Sequence, residues 1–350
     1  MPGPLTLATR ERSLGCLLAG AAGDALGAPV EFQSSAQIRA RHGAGGIRDF
    51  ERAYGLPNAI TDDTQMTLFT AEGLLDALAI DASASDDVLV DGIRASYLRW
   101  LRTQSERFPG ANGSFVGALG LLKCEELWSQ RAPGPTCLGA LRHGGRGTPA
   151  DPINDRKGCG GVMRVAPIGL LSARLGGPQR VFRVAAEAAA LTHGHPSGYL
   201  SAGAFAAIVG LVLEGRSLGE GVTEALILLA DWPQHRETSQ ALERARALAR
   251  NGPATAEKVA SLGGGWVGEE ALAIALYCGL TAEGLEDGVC LAVNHGGDSD
   301  STGAIAGNIL GALHGWSSIP ERWRERVELA DLIRTAAEKL AAAERASPSG

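Results

Sequence analysis

Apolar positions recur with a helical period through most of this chain. Between residues 10 and 26 they fall at 14, 17, 18, 21, 22, 25 and 26, which predicts a buried helix. Pro29 should end it and leave Glu31 on the turn beyond. Asp24, on this otherwise apolar helix, reads as a local cap or a structural hydrogen bond. A second helix should run from the cluster Thr61-Asp62-Asp63-Thr64 to about residue 78. A third covers 85–103, with Val88, Leu89, Ile93, Tyr97 and Leu101 on one face. Further helical stretches are 182–192, 201–214, 237–250, 269–277 and 284–293, with Gly252 and Gly279 as C-terminal stops. The tail should be helical from Arg324 to Arg345. No β-alternating run, dividing linker or internal repeat is visible. The pattern predicts a compact all-α single domain over residues 1–345, with 346–350 as a disordered tail.

The chain is organised around the stretch Asn294-His295-Gly296-Gly297-Asp298-Ser299-Asp300-Ser301-Thr302-Gly303. A glycine pair leads into an acidic loop, and Asp300 and Ser301 are expected where that loop becomes helix. Gly303, Gly307 and Gly311 then recur every fourth residue on one helix face. Each costs about 1 kcal/mol of helix propensity relative to Ala, so another backbone should come close there. One carboxylate would suit the helix dipole. Two, with adjacent hydroxyls, call for a counter-ion, and hard oxygens of this kind suit Mg²⁺, Mn²⁺ or Ca²⁺ over Zn²⁺. An EF-hand is excluded, because its last ligand position falls on Ile309. A D-x-D-x-T phosphotransferase motif matches literally but lacks the α/β domain that should follow it. The Thr61–Thr64 cluster is the second of its kind. Asp62 and Asp63 cannot both be the N-cap, so a shared divalent metal centre explains the two clusters better than capping does.

At 350 residues, 45% hydrophobic and 20% charged, the chain has the composition of a soluble globular protein. Its net charge of −7 supplies no basic surface for non-specific nucleic-acid or anionic-membrane binding. The six cysteines show no C-x-x-C pair and no disulfide-like spacing. No signal-peptide pattern is visible and no apolar run approaches a membrane span, so a cytoplasmic protein is expected.

Residues 33–60 are glycine-rich and poorly periodic, and 105–165 form a long loop segment of a kind usually functional. The latter contains 131–137 (RAPGPTC) and 154–165 (NDRKGCGGVMRV). The Gly-Cys-Gly-Gly turn can present backbone N–H groups to phosphate oxygens, although a tight turn before a buried helix suffices to explain it. His193 suits a pocket wall and His195 a solvated turn. No further Cys or His is spaced to complete a zinc set with them.

Together, the motifs GDALGAPVEF (23–32), TDDTQMTLF (61–69), GCGGVMRVAP (158–167), LTHGHP (191–196) and GGDSDSTGAIAGNILGALHG (296–315) resemble the ADP-ribosylglycohydrolase family, in its order and across nearly the whole chain. The resemblance implies an all-α fold with two divalent ions, Mg²⁺ or Mn²⁺. Thr61, Asp62 and Asp63 would bind one, Asp298 and Ser301 the other, with Asp300 bridging. Glu31, Asp62 and Asp300 would be the catalytic carboxylates, Glu31 foremost. Gly158, Cys159, Gly160, Gly161, Met163 and His193 would belong to the ADP-ribose pocket. Two positions depart from the family pattern. Ser301 replaces Thr and keeps a hydroxyl. Cys159 replaces Asn and lacks an amide's donor and acceptor pair, which bears on the ribose contacts and linkage specificity.

The implied activity is hydrolysis of the glycosidic bond between ADP-ribose and an ADP-ribosylated protein side chain. Such cleavage passes through an oxocarbenium-like transition state. Alternatives are hydrolysis of a free metabolite such as O-acetyl-ADP-ribose, or a non-catalytic scaffold that binds ADP-ribosylated targets. Retention of all the carboxylates speaks against loss of catalysis. Arginine, serine or another acceptor, either ion and any oligomeric state are compatible with these residues.

Overall fold

The computed structural model describes residues 4–110 and 116–345, and every described element is helical. In chain order the α-helices are α1 (Pro4–Gly27), α2 (Ser35–His42), α3 (Asp62–Ile80), α4 (Asp86–Ser105), α5 (Pro135–His143), α6 (Ala166–Gly169), α7 (Pro178–Ala190) and α8 (Pro196–Leu213). They continue with α9 (Leu218–Ala230), α10 (Arg236–Ala249), α11 (Ala256–Ala260), α12 (Gly268–Thr281), α13 (Leu285–Val293), α14 (Ser299–His314), α15 (Glu321–Arg324) and α16 (Ala330–Arg345). Among the described residues, β pairing is limited to two isolated bridges, Ala53 with Leu56 and Gly158 with Val267.

The glycine face of α14 meets α1 backbone to backbone. A Cβ on Gly303 would come 2.4 Å from the Gly23 carbonyl oxygen, on Gly307 2.1 Å from that of Ala19, and on Gly311 2.0 Å from that of Gly15. Only glycine permits this approach, and the packing it allows offsets the lost helix propensity. Gly27, at the end of α1, lies equally close to the first turn of α14; its Cβ would be 2.3 Å from the Asp300 amide nitrogen. The crossing therefore fixes the acidic start of α14 beside the turn that carries Glu31. Around this pair, α14 also packs on α12, α13, α8 and α3, while α16 packs on α1 and α3.

Several sequence expectations need correction. The N-cap position of α14 is Asp298, and Asp300 and Ser301 lie inside its first turn. Short helix α2 was not expected; its helical start comes from a capping box between Ser34 and Gln37, and Ile38 is its buried anchor. Helices α5, α9 and α11 were also missed, each being short or interrupted by glycine. Gly279 does not stop α12, which continues to Thr281. The C-terminal helix is broken between α15 and α16, where Leu329 takes a positive φ of 60°. His195 is the half-buried N-cap of α8, its ring accepting from the Ser197 amide at 3.1 Å. Apolar helix α8 does reach span length at 18 residues, but 94% of it is buried inside the protein, where it serves as a core helix. The expected tail at 346–350 lies outside the described residues.

Candidate metal centre and ligand cavity

Asp24 organises the first acidic cluster from another helix. Its carboxylate accepts from the amides of Thr61 (3.0 Å) and Thr64 (3.1 Å) and from the Thr64 hydroxyl (2.5 Å). It thus satisfies donors that the start of α3 would otherwise leave orphaned. The Thr61 side chain is the N-cap of α3, accepting from the Asp63 amide at 3.2 Å. Asp62 and Asp63 are therefore free of capping duty. Asp62 is steadied by the loop at 131–134. Its amide donates to the Arg131 carbonyl (3.1 Å), and its Oδ2 accepts from the Gly134 amide (3.1 Å). Arg131 itself is held by a buried bidentate ion pair with Glu328, at 2.6 and 2.8 Å.

The second cluster comes from the α14 N-terminus. The Asp298 amide donates to the Gly264 carbonyl at 2.8 Å, in a close approach that leaves no space for a Cβ on Gly297. Asp298 Oδ2 accepts from the Cys159 thiol at 2.7 Å, and the Ser301 hydroxyl lies 3.5 Å from the same sulfur. Asp300 Oδ1 accepts from the Ser301 amide at 3.0 Å, whereas the Thr61 hydroxyl donates within its own cluster, to Asp63 Oδ2 at 3.3 Å.

Glu31, on the turn after α1, completes the arrangement. Oxygens of Glu31, Asp298 and Asp300 lie within 4.8 Å of one another. Glu31 Oε2 and Asp63 Oδ1 are buried with no hydrogen-bond partner. Burial, followed by the charges of Asp300, Asp298, Asp62 and Asp24, pushes the Glu31 carboxyl up to about 10. Burial and the Asp300 charge push Asp24 up to about 7. Asp62, Asp63, Asp298 and Asp300 are all raised too, burial being the first cause in each. Buried carboxylates this close repel unless a cation pairs them. Hard, partly orphaned oxygens are the donor set a divalent ion requires, so the residues fit such a group.

These side chains form the floor of a cavity of about 280 Å³. One wall is the turn at 158–160, docked through the Cys159 amide onto the Trp266 carbonyl at 3.1 Å. Gly158, Cys159, Gly160, Met163, His193 and Ser301 all line the cavity. Gly161 sits behind this wall, where a Cβ would press on the Gly198 carbonyl at 3.1 Å; Thr61 likewise lies beneath the floor. Ala132 and residues 134–137 also line the cavity, with the Cys137 sulfur 2.9 Å from where a Gly160 Cβ would sit; this stretch is conspicuous in the sequence but with no residue assigned a role there. Phe32 and Trp266, at the rim, were not foreseen. They stack at 5.4 Å between centroids and are 72% and 43% exposed. Only Phe32 lay within a recognisable motif, and nothing local in the sequence marks Trp266.

The ADP-ribosylglycohydrolase family model matches residues 5–349. This chain belongs to the ADP-ribosylglycohydrolase family. It is 26% identical to the ADP-ribosyl-[dinitrogen reductase] glycohydrolase of Rhodospirillum rubrum, over 94% of this chain and 93% of that protein. It is also 26% identical to the ADP-ribosylhydrolase ARH3 of Bos taurus, over 91% of this chain and 88% of that protein. Among solved structures, one titled ADP-ribosylglycohydrolase-related protein complex superimposes with a TM-score of 0.69 at 25% identity, over 97% of this chain and 99% of that one. The all-α architecture is thus the family's fold, with the acidic cavity floor at its centre.

Proposed function

We propose that this glycohydrolase hydrolyses the bond between C1″ of ADP-ribose and an ADP-ribosylated protein side chain, releasing ADP-ribose. One observation carries the reading. Glu31, Asp298 and Asp300 converge within 4.8 Å on the floor of a cavity walled by a glycine turn and a buried histidine. Thr61, Asp62 and Asp63 would hold one divalent ion, Mg²⁺ or Mn²⁺, and Asp298 and Ser301 a second, with Asp300 shared. Such ions, when bound, supply charge neutralisation and polarise a ribose hydroxyl or a water.

The chain's own residues do the rest. Glu31 Oε2 is unpartnered and faces the cluster; with cations neutralising the neighbouring carboxylates its carboxyl would be ionised, able to accept a proton from the attacking water and to balance positive charge developing on the ribose. Amides of Gly158 and Gly160 and the His193 ring orient the ADP-ribose moiety. The name of the Rhodospirillum rubrum relative couples ADP-ribosyl removal to a protein acceptor, which favours a protein side chain over a free metabolite.

The test is to offer ADP-ribosyl-arginine and ADP-ribosyl-serine peptides, and separately O-acetyl-ADP-ribose, and to follow ADP-ribose release. Release from a peptide, abolished by chelation and restored by Mg²⁺ or Mn²⁺, is expected. Release from O-acetyl-ADP-ribose alone would move the substrate to the metabolite. No release from any of them, with ADP-ribose still bound, would make this a scaffold.

A further inference from the structure

His193 is 1% exposed, yet its ring lines the cavity. Its Nε2 edge faces the glycine turn, where a Cβ on Gly158 or Gly160 would come within 3.4 Å of that nitrogen. Nε2 makes no hydrogen bond to the described protein, whereas Nδ1 lies 2.8 Å from the Thr192 hydroxyl. The same hydroxyl accepts from Arg164 Nη2 at 2.7 Å. It has one proton to donate; besides the Cys137 sulfur, a weak acceptor already facing Arg164 Nη1 at 3.4 Å, two acceptors are near. The Ala189 carbonyl is 3.4 Å away and already accepts the amides of Thr192 (3.0 Å) and His193 (2.9 Å). Nδ1 is closer and otherwise unoccupied. A histidine whose Nδ1 accepts must carry its proton on Nε2.

Arg164 is fixed for this task. It is fully buried, its guanidinium stacks over the Tyr97 ring at 4.3 Å, and Nη2 also reaches the Ala188 carbonyl at 3.3 Å. Its charge and the burial of His193 together disfavour a second proton on the ring.

We propose that Arg164 and Thr192 are positioning residues that hold His193 as the neutral Nε2–H tautomer, so that it offers one hydrogen-bond donor to an acceptor oxygen of the bound ligand. On the ADP-ribose reading, on which this last step rests, that oxygen belongs to a ribose hydroxyl or a phosphate. A cationic imidazolium would offer the same donor without selecting the tautomer. The relay makes the donor permanent, because Nδ1 is occupied as an acceptor and the guanidinium keeps the ring uncharged.

The experiment uses the full chain labelled with ¹⁵N-histidine, its ring signals recorded by two-bond ¹H–¹⁵N correlation at neutral pH and assigned to His193 by their loss in His193→Gln. The wild type should show the proton on Nε2. In Thr192→Val the Nδ1 resonance should move as it loses its donor, and ADP-ribose affinity should fall about tenfold by calorimetry. Thr192→Ser should restore both. A wild-type His193 protonated on Nδ1 would overturn the proposal, and this reading needs no variant to fold. An unmoved Nδ1 resonance in a folded Thr192→Val would overturn it too. Wild-type protein with the expected tautomer but no affinity for ADP-ribose would fail the functional reading and leave the relay standing.

Discussion

At the scale of single residues, Glu31 owes its position to Pro29 and Gly27. The first stops α1, and the second lets the turn press against α14. Its Oε2 is buried and unpartnered, which suits a proton acceptor poised for use. Glu31→Gln keeps the shape and removes the charge. Turnover should fall by about 10²–10⁴-fold while ADP-ribose binding is largely retained, as separate rate and calorimetric measurements would show. Wild-type turnover would pass the role to Asp62 or Asp300. His193 gives a pH prediction. Burial, then the Arg164 charge, lowers it from 6.5 to about 3, so the unfolded chain binds this proton more tightly than the folded one. Its contribution is fully present above pH 6.5 and is lost as pH falls from there towards 3. Denaturant titrations should show that acid loss, and His193→Gln should blunt it by several kcal/mol at the acid end. An identical slope in the variant would contradict the buried neutral ring. The carboxylates were legible because like charges side by side in sequence need a reason. Trp266 was not, since only the docking of the 158–160 turn onto its carbonyl brings it to the cavity.

Among the elements, the α1–α14 crossing was the most legible, because a four-residue glycine period has no use in a solvated helix. What the sequence did not show was the partner, which depends on Gly15 meeting Gly311 and Gly23 meeting Gly303 across nearly three hundred residues. Adding one methyl group tests the crossing. Gly303→Ala would gain about 1 kcal/mol of helix propensity but drive a Cβ to 2.4 Å from the Gly23 carbonyl oxygen and 2.6 Å from the Val293 side chain. Backbone cannot yield as a flexible side chain can, so a net loss of about 1–3 kcal/mol is expected. Exposed Gly139, in α5, has nothing within 4 Å of its Cβ position, and Gly139→Ala should stabilise by about 0.5–1 kcal/mol. Chemical denaturation of both variants checks the opposite signs. Helices α2 and α9 escaped the periodicity reading for a shared physical reason. The first is almost wholly polar with one buried anchor, and the second carries two glycines in its opening turn, so both lean on capping boxes and tertiary contact.

At the scale of the whole molecule, two acidic clusters some 240 residues apart in sequence are brought together, and we propose that this serves to hold cations. The fold gathers Glu31, Asp62, Asp63, Asp298 and Asp300 in one cavity, buries most of them, and leaves two of their oxygens without a hydrogen bond. Without ions that arrangement repels itself. Ions that bind only the native state stabilise it by RT ln(1 + [L]/Kd), about 2.7 kcal/mol at a hundredfold excess over Kd. The deciding measurement is differential scanning calorimetry of the wild type and Asp300→Asn, each stripped of metal and then supplied with Mg²⁺ or Mn²⁺. The wild type should melt clearly higher with metal. Asp300→Asn should lose most of that gain, while its metal-free form, relieved of one buried like charge, should melt no lower than metal-free wild type. Equal melting temperatures for the wild type with and without either ion would contradict the metal centre.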